Sequence, residues 1–115
     1  MIRLAAAVLL LHHSFAADFD ITKSVTLIGR VTKIEWMNPH VHISLEAKDG
    51  PWTVEMGSPN GLRERGWTSK TLKVGDAITV DGSRAKDGSR TANARSIVLP
   101  TGERLSAAPA GAKTS

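Results

Sequence analysis

The sequence predicts a small all-β protein with one short helix, a five-stranded OB-fold-like Greek-key barrel. Three observations carry that expectation. Apolar and polar residues alternate with a period of two through most of the chain; the first such run is long and changes parity in its middle; and a helix-start signal, Ser58-Pro59, falls between the third and fourth runs. The 115 residues leave room for one domain with a single core.

In the first strand Val25, Leu27, Gly29 and Val31 share a face, and Ile34 and Trp36 continue it on the opposite parity, so a bulge is expected near Thr32-Lys33. The second strand runs from His40 to Ala47, with Val41, Ile43, Leu45 and Ala47 inward. Trp52 to Met56 forms the third. A hairpin turn at Asp49-Gly50 pairs Ala47 with Trp52, Leu45 with Val54 and Ile43 with Met56. The earlier turn at Asn38-Pro39 sets Trp36 opposite Val41 and Ile34 opposite Ile43, and both registers put every apolar residue on one face. Ser58 as N-cap, Pro59 at the first helical position and Gly66 as the stop frame the helix. After Trp67 and a turn ending in Val74-Gly75-Asp76, the fourth strand points Ile78 and Val80 inward. Lys86 to Ser89 reads as a loop, Thr91 to Leu99 as the fifth strand, and Pro100-Thr101-Gly102 as a closing turn. Trp36, Trp52 and Trp67 are expected in the core.

The two ends differ from the domain between them. Arg3 followed by the apolar run Leu4 to Leu11, too short to span a bilayer, reads as an export signal. A signal peptide over residues 1–16 is expected, with the cut between positions 11 and 17; Ser14-Phe15-Ala16 meets the small-x-small rule and would free Ala17. That gives a β-domain over 17–105 and a small-residue, disordered tail over 106–115. The expected address is periplasmic or secreted, with no transmembrane segment in the mature chain.

Composition narrows the chemistry. There is no cysteine, which excludes disulfides, thiolate zinc sites and a thiol nucleophile. Residues 1–60 carry five Lys/Arg against six Asp/Glu, whereas residues 61–115 carry ten against five. The basic excess at Arg63, Arg65, Lys70, Lys73, Arg84, Lys86, Arg90, Arg95 and Arg104 could draw an anionic polymer, but a solvated face is the plainer reading, since only Trp67 is interleaved as a stacking group.

The segment Trp36-Met37-Asn38-Pro39-His40-Val41-His42 is the richest in ligand chemistry. His40 and His42 alternate onto the outer face, ~7 Å apart along the strand. The two hairpin registers add Glu35, opposite His42, and Glu55, opposite Ser44. Two imidazoles and two carboxylates form a candidate site for copper, nickel or zinc, to which His12 and His13 could contribute if the mature chain retains them. The competing reading is a His42–Glu35 ion pair on an ordinary wet face. No enzyme is expected: Ser14, Ser44 and Ser58 lack a nucleophile-elbow context, and the glycines sit singly at bends rather than in a phosphate-cradling loop.

Several segments taken together carry a family likeness: His12-His13-Ser14-Phe15-Ala16-Ala17 followed by Phe19-Asp20, Val25-Thr26-Leu27 with Gly29, Glu35-Trp36, Asn38-Pro39-His40, Glu55, Ser58-Pro59, Gly66-Trp67 and Gly75-Asp76. Over nearly all of residues 12 to 105 the chain resembles the small exported bacterial proteins of the domain of unknown function 6152. The resemblance implies a periplasmic or secreted β-domain and brings no activity with it. Proteins of this kind usually have a longer signal ending just before the paired histidines; that pattern keeps His12 and His13, whereas the local cleavage rule removes them.

The function expected is a non-catalytic exported binding domain that takes a transition metal or small ligand on the outer hairpin face. The alternative is an anion- or nucleic-acid-binding OB domain that uses the basic C-terminal half, with nucleic acid the less favoured partner. A structural envelope protein without a discrete ligand is the third possibility.

Overall fold

The computed structural model describes residues 18–108, and within them the protein is all-β with one short helix. The strands are β1 (Phe19–Glu35), β2 (His42–Ala47), β3 (Gly50–Glu55), β4 (Ala77–Ala85), β5 (Thr91–Val98) and β6 (Arg104–Ser106), with helix α1 (Pro59–Glu64) between β3 and β4. Their lateral order is β3-β2-β1-β4-β5-β6, and a parallel β3–β5 pairing closes the first five into a barrel. That closure leaves the interior to side chains and removes most of the exposed sheet edge.

The first strand is what makes the barrel possible. It is 17 residues long, starts earlier than the alternation from Val25 suggests, and serves two partners in turn: β4 from Phe19 to Arg30 and β2 from Gly29 to Glu35. The bulge expected near Thr32-Lys33 lies between Val31 and Lys33. It moves the inward set from Leu27 and Val31 to Ile34 and Trp36, which pack on the core from a half-buried position. Gly29 sits where β1 passes from one partner to the other; a Cβ there would lie 2.3 Å from Glu46 O, so only glycine allows the approach.

The β1–β2 register agrees with expectation, with Ile34 opposite Ile43 and Glu35 opposite His42. The β2–β3 register does not. The chain turns at Lys48-Asp49 rather than Asp49-Gly50, pairing Ala47 with Gly50, Leu45 with Trp52 and Ile43 with Val54. Asp49 explains the difference, because its carboxylate accepts the Trp52 indole N–H at 3.0 Å and Arg90 donates to its carbonyl oxygen, which holds Asp49 in the tip. Moving the turn by one residue shifts the pairing by two. Faces are therefore preserved, and Val41, Ile43, Leu45, Trp52, Val54 and Met56 are all buried.

Helix α1 forms as its sequence predicts. Ser58 Oγ accepts the Gly61 N–H at 3.1 Å and Pro59 occupies the first turn, where no N–H is needed. At the other end Gly66 adopts φ +96°, Trp67 N–H reaches Leu62 O and Gly66 N–H reaches Arg63 O, the Schellman arrangement that satisfies the last carbonyls. Leu62 and Trp67 enter the core.

The short β6 strand is absent from the sequence-based expectation, and it takes in Ser106, where the tail is expected to start. Ser106 belongs to β6, and Ala107 and Ala108 are buried. The Trp67 indole donates to Ser106 O at 2.8 Å and Arg65 to Ser106 Oγ, while Ala107 bridges Gly57 and Arg95 through its backbone. Buried partners, not composition, order these small residues. The rest of the expected tail and the expected signal segment, with His12 and His13, lie outside the described residues. No helix among the described residues is long and apolar enough to cross a membrane.

Candidate functional site

The strands that build the core also build the outer hairpin face, because alternate residues of β2 and β3 leave the barrel. With Ile43 and Leu45 inside, His42 and Ser44 face out; with Trp52 and Val54 inside, Thr53 and Glu55 do so. The corrected register puts Glu55, rather than Gly57, directly across from His42, and Thr53, rather than Glu55, across from Ser44. Beyond the end of β2 the backbone pairing continues, with Val41 N–H on Gly57 O and Met56 N–H on Val41 O. His40, the residue before Val41, thereby comes within reach of Glu55 as well.

The outcome is one carboxylate shared by two imidazoles. His40 Nδ1 lies 3.0 Å from Glu55 Oε1, and His42 Nε2 lies 3.8 Å from the same oxygen. The histidine side chains are 37% and 36% exposed and that of Glu55 21%, so the carboxylate is the more enclosed member and the rings form the rim. Glu35, opposite His42 in the register, turns to Lys33, its Oε2 lying 3.8 Å from Lys33 Nζ. Of the four residues expected from sequence, His40, His42 and Glu55 are thus brought together and Glu35 is engaged elsewhere. Among the described residues no group of three or more His, Asp or Glu side chains is arranged as a ready metal cage. The nitrogens converge on an oxygen, not on a common point between them. Alternation alone does not reveal the shared role of Glu55, because that role depends on a β2–β3 register set by the Trp52–Asp49 hydrogen bond.

The basic residues of the C-terminal half do not gather into a stripe. Arg84 lies 5.0 Å above the Trp52 ring and donates to Gly88 O and Ser89 O; Arg90 pairs with Asp49. Arg104 bonds Asp81 and Ser96, Arg65 bonds Ser106, and Arg63 bonds Asn60 and lies 5.9 Å from the Trp36 ring. Most of this charge anchors loops and strand ends. The hydrogen bond from Arg104, with a further one from Thr26, holds the Asp81 carboxyl below its ordinary pKa of 3.8 against the opposing effect of burial.

Similarity to known proteins points to the fold more than to an activity. In a crystal structure of TiaS with tRNA(Ile2) and ATP, a segment resembles this chain at 26% identity and a TM-score of 0.53, covering 70% of this chain and 18% of that one. In the ZRD-deleted mutant of TiaS in complex with agmatine the figures are 24% and 0.54, over 82% of this chain and 24% of the other. The chain thus spans a quarter or less of the TiaS structures it matches. No curated protein matches it. The sequence pattern of one family covers residues 2–94, including every strand as far as the middle of β5 and the whole His40–His42–Glu55 face, and on that match the chain belongs to the family of unknown function DUF6152.

Proposed function

We propose that this protein is a non-catalytic exported binding domain that takes a divalent transition-metal ion, copper, nickel or zinc, on the outer hairpin face. The observation that carries the reading is the convergence of His40 Nδ1 and His42 Nε2 on a single oxygen of Glu55, on rings left about one-third exposed. Neutral imidazole is a good ligand for these ions, and a carboxylate within reach offsets part of their charge. Because both nitrogens are directed at Glu55 Oε1, the side chains rotate on binding and the nitrogens turn from the carboxylate to the ion. Export is supported by Arg3 and the Leu4 to Leu11 run.

Calorimetric titration of the mature protein with each ion tests the reading. His42→Ala should weaken binding at least tenfold, about 1.4 kcal/mol, while Arg95→Ala should leave it unchanged. Affinity for none of the ions better than about millimolar, −4.1 kcal/mol, would remove the metal from the account. Fractionation of cells expressing the full chain tests export, and an uncleaved protein wholly in the cytoplasm would contradict it. The polyanion reading draws on the likeness to a segment of TiaS, whose crystal structure includes tRNA, and predicts binding that falls steeply with salt. It is the weaker reading because Arg65, Arg84, Arg90 and Arg104 are committed to internal contacts.

A further inference from the structure

Met37 occupies a place that the β1–β2 register makes significant. Ile34 pairs with Ile43 and Glu35 with His42, so the same register carried two residues further sets Met37 across from His40, with Asn38 and Pro39 between them at the tip. Opposed residues of an antiparallel pair share a face, and faces alternate along each strand. Met37 therefore falls on the outer side with His40 and His42, while Trp36 turns to the core. Exposure agrees, since Met37 is 53% exposed and Trp36 is half buried. A lone exposed methionine means little in itself; one level with two exposed imidazoles supplies a third ligand type.

A thioether is soft and uncharged. It suits cuprous copper, whereas zinc sites draw their sulfur from thiolate, which this chain cannot provide because it has no cysteine. Resting on the metal-binding reading above, we infer that this face selects Cu(I), held by Met37 Sδ, His40 Nδ1 and His42 Nε2 with Glu55 as counter-charge. The three ligands are neutral, so one carboxylate balances the single charge of the ion. Binding needs no oxidant or reductant, as the metal enters and leaves as Cu(I).

The test is anaerobic competition for Cu(I) against a chromophoric chelator, using the mature protein and its Met37→Leu variant, with Zn(II) and Ni(II) affinities and thermal melts measured in parallel. Met37→Leu should weaken Cu(I) at least tenfold, leave Zn(II) and Ni(II) affinity within twofold, and leave the melting temperature unchanged. X-ray absorption of the Cu(I)-loaded protein should show a sulfur scatterer that the variant lacks; Met56, buried in the core, cannot supply it. Equal loss for all three ions, an unchanged Cu(I) affinity, or a copper shell without sulfur would overturn the cuprous assignment while leaving a histidine site standing. A wild-type protein that binds none of the ions would overturn the binding face itself.

Discussion

Gly82→Ala is the sharpest test of the barrel. Gly82 lies at the register shift of β4, buried, and pairs with Val25 on one side and Ala94 on the other. An added Cβ would meet Asn93 O at 2.0 Å, Asn93 C at 2.9 Å and Ala94 Cα at 3.1 Å, all of them backbone atoms that cannot rotate aside. Restoring contact requires β4 and β5 to separate by about 1 Å, a cost of about 3 kcal/mol on the scale of overpacked interiors. The φ angle at Gly82 is not positive, so alanine meets no left-handed penalty there. Without the clash, the substitution would stabilise the protein by about 0.4–1 kcal/mol through the unfolded chain. The two accounts differ in sign. Gly88→Ala is the companion: φ is +79° with nothing within 4 Å, so only the left-handed penalty applies, about 1–2 kcal/mol. Urea denaturation should rank wild type above Gly88→Ala and Gly88→Ala above Gly82→Ala, with the last melting roughly 15 °C below wild type at about 4–8 °C per kcal/mol. A Gly82→Ala protein as stable as wild type would refute the close crossing of β4 and β5.

Trp52→Ala should cost about 3–5 kcal/mol, because its ring is buried, while Thr53→Ala on the outer face should stay within about 0.5 kcal/mol; denaturant melts in the reverse order would reject the β2–β3 register. Asp81 gives a pH signature. Its carboxyl titrates lower in the folded state, so the stability it adds is present above the unfolded value of 3.8 and is lost as pH falls through the lower folded value. Arg104→Ala removes the largest cause, so the stability gap between wild type and variant, about 1 kcal/mol at most for a pair this open to solvent, should be level at neutral pH and close in acid. A gap that widened in acid would contradict the pairing.

Local signals proved legible where a single short-range rule decides. Period-two alternation finds the buried sets of β2, β3 and β4, the parity change finds the bulge after Val31, and Ser58-Pro59 with Gly66 finds both ends of α1. Failures occur where a distant partner decides. The turn sits at Lys48-Asp49 because Trp52 and Arg90 bind Asp49, and Arg90 comes from the loop before β5. β6 exists because Ser106 meets Trp67 and Arg65 from the far side of α1; a stretch rich in Ala and Ser carries no pattern that announces it. At the site, alternation alone placed His40 and His42 outside, whereas selecting Glu55 over Glu35 as their partner required the true register and the competing Lys33.

The arrangement of charge also distinguishes the two ends of the hairpin face. Here the β4–β5 loop is tied down at both ends, by Arg84 to Gly88 O and Ser89 O and by Arg90 to Asp49, so its cations serve the fold. At the opposite end Met37, Asn38 and Pro39 between β1 and β2 are exposed, and among the described residues the ion-pair contact of His40 is with Glu55. A ligand at the first loop has only to displace a solvent-exposed imidazole–carboxylate contact, worth about 0–1 kcal/mol. One at the second loop would have to break the hydrogen bonds from Arg84 to Gly88 O and Ser89 O and the Arg90–Asp49 pair together, more contacts than the single one at the first loop. The first loop is therefore the end where binding and folding compete least, and it is also the end that carries both histidines.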